Sequence, residues 1–384
     1  MTDTPYPTDI KRPAPPDTRA CPVCGLVLSS FVTECPQDGT RLPLAIESDA
    51  TFSHKYKFLS TIGSGGMGVI YKARQLAMNK IVAIKMLHSE IPSDEALRRF
   101  QVEGKAAGIL NHKYIIQVHD LGVTDSGRPF MVMDYIDGQT LAEELSARGP
   151  LKVERFLRLF VQVCEALSHA HSKGVLHRDL KPSNLMLLQT GRTEEVRIMD
   201  FGIAKLLEGT EYDAQRLTKT GEALGSPLYM SPEQCRSAKL DRRSDLYALG
   251  CVMYEALTGA PPFMGKTALE TVMMHLDQEP ITMSSASLGL KFDQGLEDIV
   301  LRLLRKEPAD RYQSSEEVES DLIKYQEAIT GGEPVRFVYA ENKELSQSKA
   351  QPAPARKRWS TRDASVVGII LIAVAVVAGT VLAG

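Results

Sequence analysis

Neither sign of charge dominates this sequence. Its 45 Lys and Arg face 48 Asp and Glu, a formal net charge of −3. The strongly basic field that attracts nucleic acid is therefore missing, and no nucleic-acid partner is expected. No apolar run opens the chain, so no signal peptide is expected. No internal repeat is visible, which argues against a solenoid or propeller. Cysteine is sparse, with six in all, and Cys164, Cys235 and Cys251 are scattered through helix-like or loop sequence. That pattern suits buried structural thiols in a reducing compartment. What remains is globular composition, 43% apolar and 24% charged over 384 residues, with room for two or three domains.

One long apolar run does occur, at the other end. From Val366 the chain reads VVGIILIAVAVVAGTVLAG to Gly384, 19 residues without charge or proline. A helix of that length rises about 28 Å, close to the hydrocarbon thickness of a bilayer. It is apolar on every face, unlike a core helix with one polar side. Arg356, Lys357, Arg358 and Arg362 stand just before it, with Trp359 among them. Positive flanks stay on the cytoplasmic side and Trp favours the interface, so residues 1–365 are expected in the cytoplasm, beneath a single-pass cell-membrane anchor. Almost nothing follows the span, as in a tail-anchored protein or a chain cut short.

Residues 1–20, rich in Pro, Thr and Asp, read as a disordered lead, and 21–42 hold a cysteine cluster. A short linker runs to about Phe52, and one globular stretch covers 56–331. Residues 341–365 read as a polar juxtamembrane linker. The globular stretch begins with strand-like segments, YKFLSTIG, GVIYKARQ, IVAIKML and RPFMVMDYI, rich in β-branched and aromatic residues. Residues 93–110 carry helical periodicity behind an N-cap, Ser93. Beyond Gly149 the pattern turns helical. A β-rich lobe with one main helix thus precedes a larger helical lobe, an α+β architecture.

Between the first two strands lies GSGGMGVIYKA, residues 63–73, with Gly63, Gly65, Gly66 and Gly68. Such glycines serve either a tight hairpin or a loop whose bare backbone lies over phosphates. Lys85 ends VAIK on an apolar strand, where a lysine is costly unless paired. Glu103, on the helix expected beside that strand, is its expected partner. Further on come HRDLKPSN at 177–184 and DFG at 200–202.

With these motifs in order, residues 56–330 resemble a eukaryotic-type serine/threonine protein kinase of the bacterial, membrane-anchored kind. The resemblance implies a two-lobed protein kinase fold and a glycine loop covering ATP phosphates. Ile62, Gly63, Ser64, Gly65, Gly66, Met67 and Gly68 would line that turn, and Ile70 (valine in the usual pattern) would pack above the adenine with Ala83. Lys85 would hold the α- and β-phosphates and Glu103 would orient it. Met133 would be the gatekeeper, residues from Asp134 to Ile136 the hinge whose backbone pairs with adenine, and Met186 the pocket floor. Asp179 would take or orient the hydroxyl proton, Lys181 would neutralise the moving phosphoryl group, and Asn184 with Asp200 would ligate Mg²⁺. The lysine two residues after Asp179 is the serine/threonine pattern.

The segment GSPLYMSPEQ, 225–234, departs from the family form at Ser226 and Ser231. Glu233 is expected to pair with Arg311, and Asp245 to brace the catalytic-loop backbone. Arg178 is expected to meet a phosphate on Thr218 or Thr220. His177 reads as structural, His169 and His171 as helix-end residues without a chemical role, and VMMHL at 272–276 as helical core packing. Implied partners are protein substrates at Ser or Thr, and a second copy of the chain for autophosphorylation, in a signal-transduction role. The alternative is a pseudokinase scaffold; the intact Lys85, Asp179, Asn184 and Asp200 speak against it.

CPVCG at 21–25 and CPQDG at 35–39 look like two knuckles of a zinc ribbon. Similar short modules precede the kinase domain in some bacterial kinases. Cys21, Cys24 and Cys35 supply three thiolates, and Asp38 stands where a fourth cysteine would be. A structural Zn²⁺, a metal-free vestige and a redox C-x-x-C remain open; no thioredoxin-like βαβ pattern surrounds the last.

Overall fold

Strand period decides the first layer. The protein is described by a computed structural model over residues 18–21, 23–24, 26–29, 35–40, 52, 54–65, 68–87, 104–105, 107–124, 128–201, 227–287 and 289–331. Two short strands, β1 (Thr18–Ala20) and β2 (Val27–Ser29), pair antiparallel at the cysteine cluster. Then β3 (Tyr56–Gly65), β4 (Gly68–Gln75), β5 (Lys80–Leu87), β6 (Val118–Val123) and β7 (Pro129–Asp134) form an antiparallel sheet of order β3-β4-β5-β7-β6. Successive side chains alternate faces. Val82, Ile84 and Met86 therefore join Tyr56, Phe58, Val69, Tyr71, Phe130 and Val132 in one core. Ala83 and Lys85 fall on the opposite face, and Ile70 stands across from Lys85 in the β4–β5 register.

Phe52 extends this core beyond the expected boundary. It is fully buried, with its ring 4.7 Å from Phe130 and 5.8 Å from Phe58. Burying a side chain of that size contributes about 1.5–3 kcal/mol, so the segment assigned as linker ends inside the fold.

The helical layer begins with α1 (Leu141–Arg148), capped by a Thr140–Glu143 capping box, and α2 (Val153–Ser172). In α2, Phe156, Leu157, Phe160, Val163, Cys164 and Leu167 recur at three and four and are buried. A small sheet follows, built from β8 (Gln139–Thr140), β9 (Leu185–Thr190) and β10 (Thr193–Ile198) in the order β10-β9-β8. Beyond the undescribed 202–226 come α3 (Pro232–Cys235), α4 (Arg242–Thr258), α5 (Ala268–Asp277), α6 (Met283–Ala286), α7 (Gln294–Leu303) and α8 (Ser315–Gly331).

Helix α4 is the axis of this lobe, buried almost all round. Asp241 caps its start through Arg243 N–H, and Gly259, at φ 86°, closes its end in the left-handed conformation. Gly250 lets α7 approach: a Cβ there would lie 2.7 Å from Leu303. The VMMHL segment corrects an expectation. Met273 is 50% exposed, whereas His275 is completely buried, because the helix turns its histidine toward α4. Among the described residues no helix is long and apolar enough to cross a membrane. The apolar run 366–384 and the linker 341–365 lie outside those residues.

Candidate active site

Helix α4 positions the loop that follows α2. Buried Asp245 accepts the backbone N–H groups of His177 and Arg178, each at 2.8 Å, and binds His171 Nε2 at 2.8 Å. Burial raises the Asp245 carboxyl, but the His171 bond and the neighbouring imidazoles outweigh it and leave a net downward shift. Arg178 sits at φ 64°, a conformation most side chains avoid, and the carboxylate beneath it holds it there. His171 therefore has a role that its helix-end position did not suggest: it helps orient the brace.

His177 is fully buried and committed at both nitrogens. Nδ1 accepts the Asp179 N–H at 3.3 Å, which leaves Nε2 to donate to the Met199 carbonyl at 3.0 Å. Burial pushes its imidazolium form down. It is a structural member of the loop, as expected, and is unavailable as a base.

Around it the polar groups converge. Lys181 Nζ donates to Asp179 Oδ2 at 2.7 Å, and Asn184 Nδ2 to the Asp179 carbonyl at 2.8 Å. The Met199 N–H bonds the Asn184 carbonyl at 3.0 Å, which sets Asp200 beside this group. Lys85 Nζ, from the sheet, reaches Asp200 Oδ2 at 2.6 Å. Asp200 adopts φ 59°. Glu103, the expected partner of Lys85, lies outside the described residues, as do Gly66, Met67, Ser226, Thr218 and Thr220.

The apolar walls come together as well. Ala83, Ile116 and Met133 are buried in one cluster, with Ile70, Ile136, Met186 and Met199 packed against it. Ile62 is 46% exposed. Gly63 and Ser64 pair with Ile70 and Val69 at the end of the β3–β4 ribbon. A small pocket adjoins Met133, walled by Ala107, Ile115, Val118 and Met131 and reaching Asp200 and Phe201.

Two supports come from the segment after the undescribed stretch. Ser231 caps α3, and its capping-box partner Gln234 also donates from Nε2 to the Arg178 carbonyl at 2.8 Å. The serine that departs from the family form thus starts a helix, and the S-x-x-Q spacing carried that signal. Glu233 and Arg311 form the expected bidentate pair at 2.8 and 2.9 Å, with Ser244 completing the carboxylate and the carbonyls of Arg243, Arg305 and Lys306 the guanidinium. Burial pushes the Glu233 carboxyl up, and Arg311 more than offsets it. Losing one partner of such a buried pair costs about 3–5 kcal/mol.

At the cysteine cluster the ligand atoms of Cys21, Cys24, Cys35 and Asp38 all lie within 4.8 Å of one another. Cys21 Sγ is 3.3 Å from Asp38 Oδ2, and Cys24 Sγ is 3.5 Å from Cys35 Sγ. Gly39, at φ 71°, turns the second knuckle.

A glycine-tipped ribbon over an apolar slot, with lysine and carboxylates at its mouth and a helical lobe beneath, is the two-lobed protein kinase fold. The protein kinase domain model matches residues 56–323, and the chain belongs to that family. It is 43% identical over 275 residues to serine/threonine-protein kinase pkn3 of Myxococcus xanthus, covering 71% of this chain and 50% of the relative. It is 35% identical over 327 residues to serine/threonine-protein kinase PknB of Mycobacterium tuberculosis, covering 82% and 51%. The chain spans about half the length of these curated relatives. The crystal structure of the M. tuberculosis PknI kinase domain superposes with a TM-score of 0.55 at 28% identity, covering 77% of this chain and 99% of that one.

Proposed function

We propose that the protein is a membrane-anchored serine/threonine protein kinase that transfers the γ-phosphoryl group of ATP to protein hydroxyls. The observation that carries this reading is the convergence of Lys85, Asp179, Lys181, Asn184 and Asp200 beside the Ala83–Met133–Met186 slot. Gly63 adds a second support. The nearest described atoms that a Cβ there would meet belong to Ile70, at 3.7 Å or more, and Gly63 is not among the positive-φ glycines. Among the described residues nothing demands glycine at 63, which leaves the backbone there open to the close approach of a ligand.

Asp179 takes the substrate hydroxyl proton, with Lys181 beside it as the positive charge facing the transferred group. Lys85 positions phosphates, and residues 134–136 offer backbone groups to the adenine edge. Asn184 spends its amide N–H on the Asp179 carbonyl, which leaves its side-chain oxygen for a cation; with Asp200 it offers the hard oxygen donors that suit Mg²⁺. Bound there, Mg-ATP supplies the phosphoryl group and neutralises its charge. Arg178 meets phosphate on Thr218 or Thr220 when a second copy of the chain phosphorylates that segment.

Purified full-length protein given Mg-ATP should phosphorylate itself or a generic basic protein on Ser or Thr. Lys85→Ala and Asp179→Ala should each lower transfer about 10²-fold or more. Undiminished transfer in both variants overturns the reading.

The cysteine cluster binds one structural Zn²⁺ in this proposal. A tetrahedral ion with bonds near 2.3 Å needs ligand separations of about 3.8 Å, and the four atoms are already gathered at that scale. Asp38→Cys should raise the zinc content of purified protein and Asp38→Ala lower it, since thiolate is the softer ligand. Below about a tenth of an equivalent in the unmodified protein, the vestigial reading stands instead.

A further inference from the structure

Asp134 ends β7 and Tyr135 follows it, and each is met by a lysine from another strand of the sheet. Lys80, at the start of β5, donates from Nζ to Asp134 Oδ1 at 2.7 Å. His119, on β6, brings Nε2 to the same oxygen at 2.8 Å and lies 3.1 Å from Lys80 Nζ. Three adjacent strands thus meet at one carboxylate oxygen. Independently, Lys72 of β4 places Nζ 4.0 Å from the centroid of the Tyr135 ring. The Asp134 N–H is also spoken for, by the Gln117 carbonyl at 3.0 Å. Burial pushes the Asp134 carboxyl up, and the bonds from Lys80 and His119 more than offset it.

Stability is a poor account of this arrangement. The Lys80 and Asp134 side chains are 44% and 25% exposed, and pairs this wet contribute about 0–1 kcal/mol. Geometry gives a better account. The segment 134–136 carries the backbone groups assigned to adenine, so anything that fixes Asp134 and Tyr135 fixes those groups before the ligand arrives. A preformed site binds more tightly because less ordering is left to do. We infer that Lys72, Lys80 and His119 are positioning residues that clamp the hinge between the lobes and set nucleotide affinity, leaving the phosphoryl-transfer step untouched. The inference rests on the kinase reading of residues 134–136.

Four variants of the full-length protein test it: Lys80→Met, His119→Gln, Lys72→Met and the conservative Lys80→Arg. ADP affinity, KM for ATP, kcat and thermal midpoint are measured for each. Lys80→Met and Lys72→Met should raise the ADP Kd and the ATP KM about three- to tenfold, with kcat at saturating ATP within about twofold. His119→Gln should shift them in the same direction by less, and Lys80→Arg should restore the wild-type values. In an Asp134→Asn background, Lys80→Met should add nothing, because its acceptor is already weakened. A purely structural role would lower the thermal midpoint and the active fraction but leave KM and Kd alone. That pattern, or variants with wild-type affinity, overturns the inference while the kinase reading stands. Failure of the unmodified protein to bind ADP overturns both.

Discussion

Gly63 and Gly68 stand five residues apart in one ribbon and differ in what a side chain there would meet. At Gly68 a Cβ would lie 2.2 Å from the Met86 carbonyl oxygen, which belongs to the backbone of a central strand and cannot move aside. At Gly63 it would make ordinary contact. The Gly-x-Gly-x-x-Gly pattern does not distinguish the two, since the pattern is local and the Met86 contact is not. Gly68→Ala should therefore destabilise the protein by about 1–3 kcal/mol in urea unfolding, as overpacking does. Gly63→Ala should stay within about 0.5 kcal/mol of wild type and raise the KM for ATP instead. Equal losses of stability at both positions would show that the ribbon, and not a ligand, requires Gly63.

At the scale of elements, what the sequence revealed was whatever its own spacing encodes. Strand-like composition put Lys85 on a strand, and motif order, read through the family resemblance, named Asp179, Asn184 and Asp200 together. Asp245 and the Glu233–Arg311 pair could be named through the family resemblance. What escaped were contacts made by tertiary neighbours without a local pattern: His171 on Asp245, Phe52 in the sheet core, and His275 under α4.

His275 shows the cost of such burial. Desolvation, and then the charge of Lys306, lower its pKa to about 4. Its ring sits 4.9 Å from Phe263 and its Nδ1 bonds Tyr247 Oη at 2.9 Å. The folded-state pKa lies below the ordinary 6.5, so unfolded chains bind the extra proton first as pH falls. The stability present above pH 6.5 is therefore lost progressively between pH 6.5 and about 4, by up to about 3 kcal/mol. His275→Gln should be less stable than wild type at pH 7. Between pH 7 and 4.5, however, it should lose about 2–3 kcal/mol less than wild type. Parallel pH profiles would mean that His275 titrates normally in the fold.

For the whole molecule, the question is what holds the kinase domain in place. The matched domain ends at residue 323 and α8 at Gly331, which leaves the polar stretch 341–365 to connect it to the apolar run. If that stretch were extended it could reach several tens of ångströms, since each residue spans at most about 3.3–3.6 Å. On the proposed anchor, the domain could meet both a second copy and protein substrates at the membrane surface, where confinement raises the effective concentration. Anchoring and autophosphorylation are then linked. Full-length protein should sediment with membranes and come away only in detergent, while a chain ending at Ser348 should remain in the supernatant. Compared at equal total concentration, the anchored protein in vesicles should phosphorylate itself faster than the truncated chain, and dilution into excess lipid should erase the advantage. On the proposed topology, protease added outside intact cells should leave the kinase domain whole, because positive flanks such as Arg356, Lys357, Arg358 and Arg362 favour the cytoplasmic side. A full-length chain that stays in the supernatant removes the anchor; external cleavage of the domain keeps the anchor and reverses its orientation.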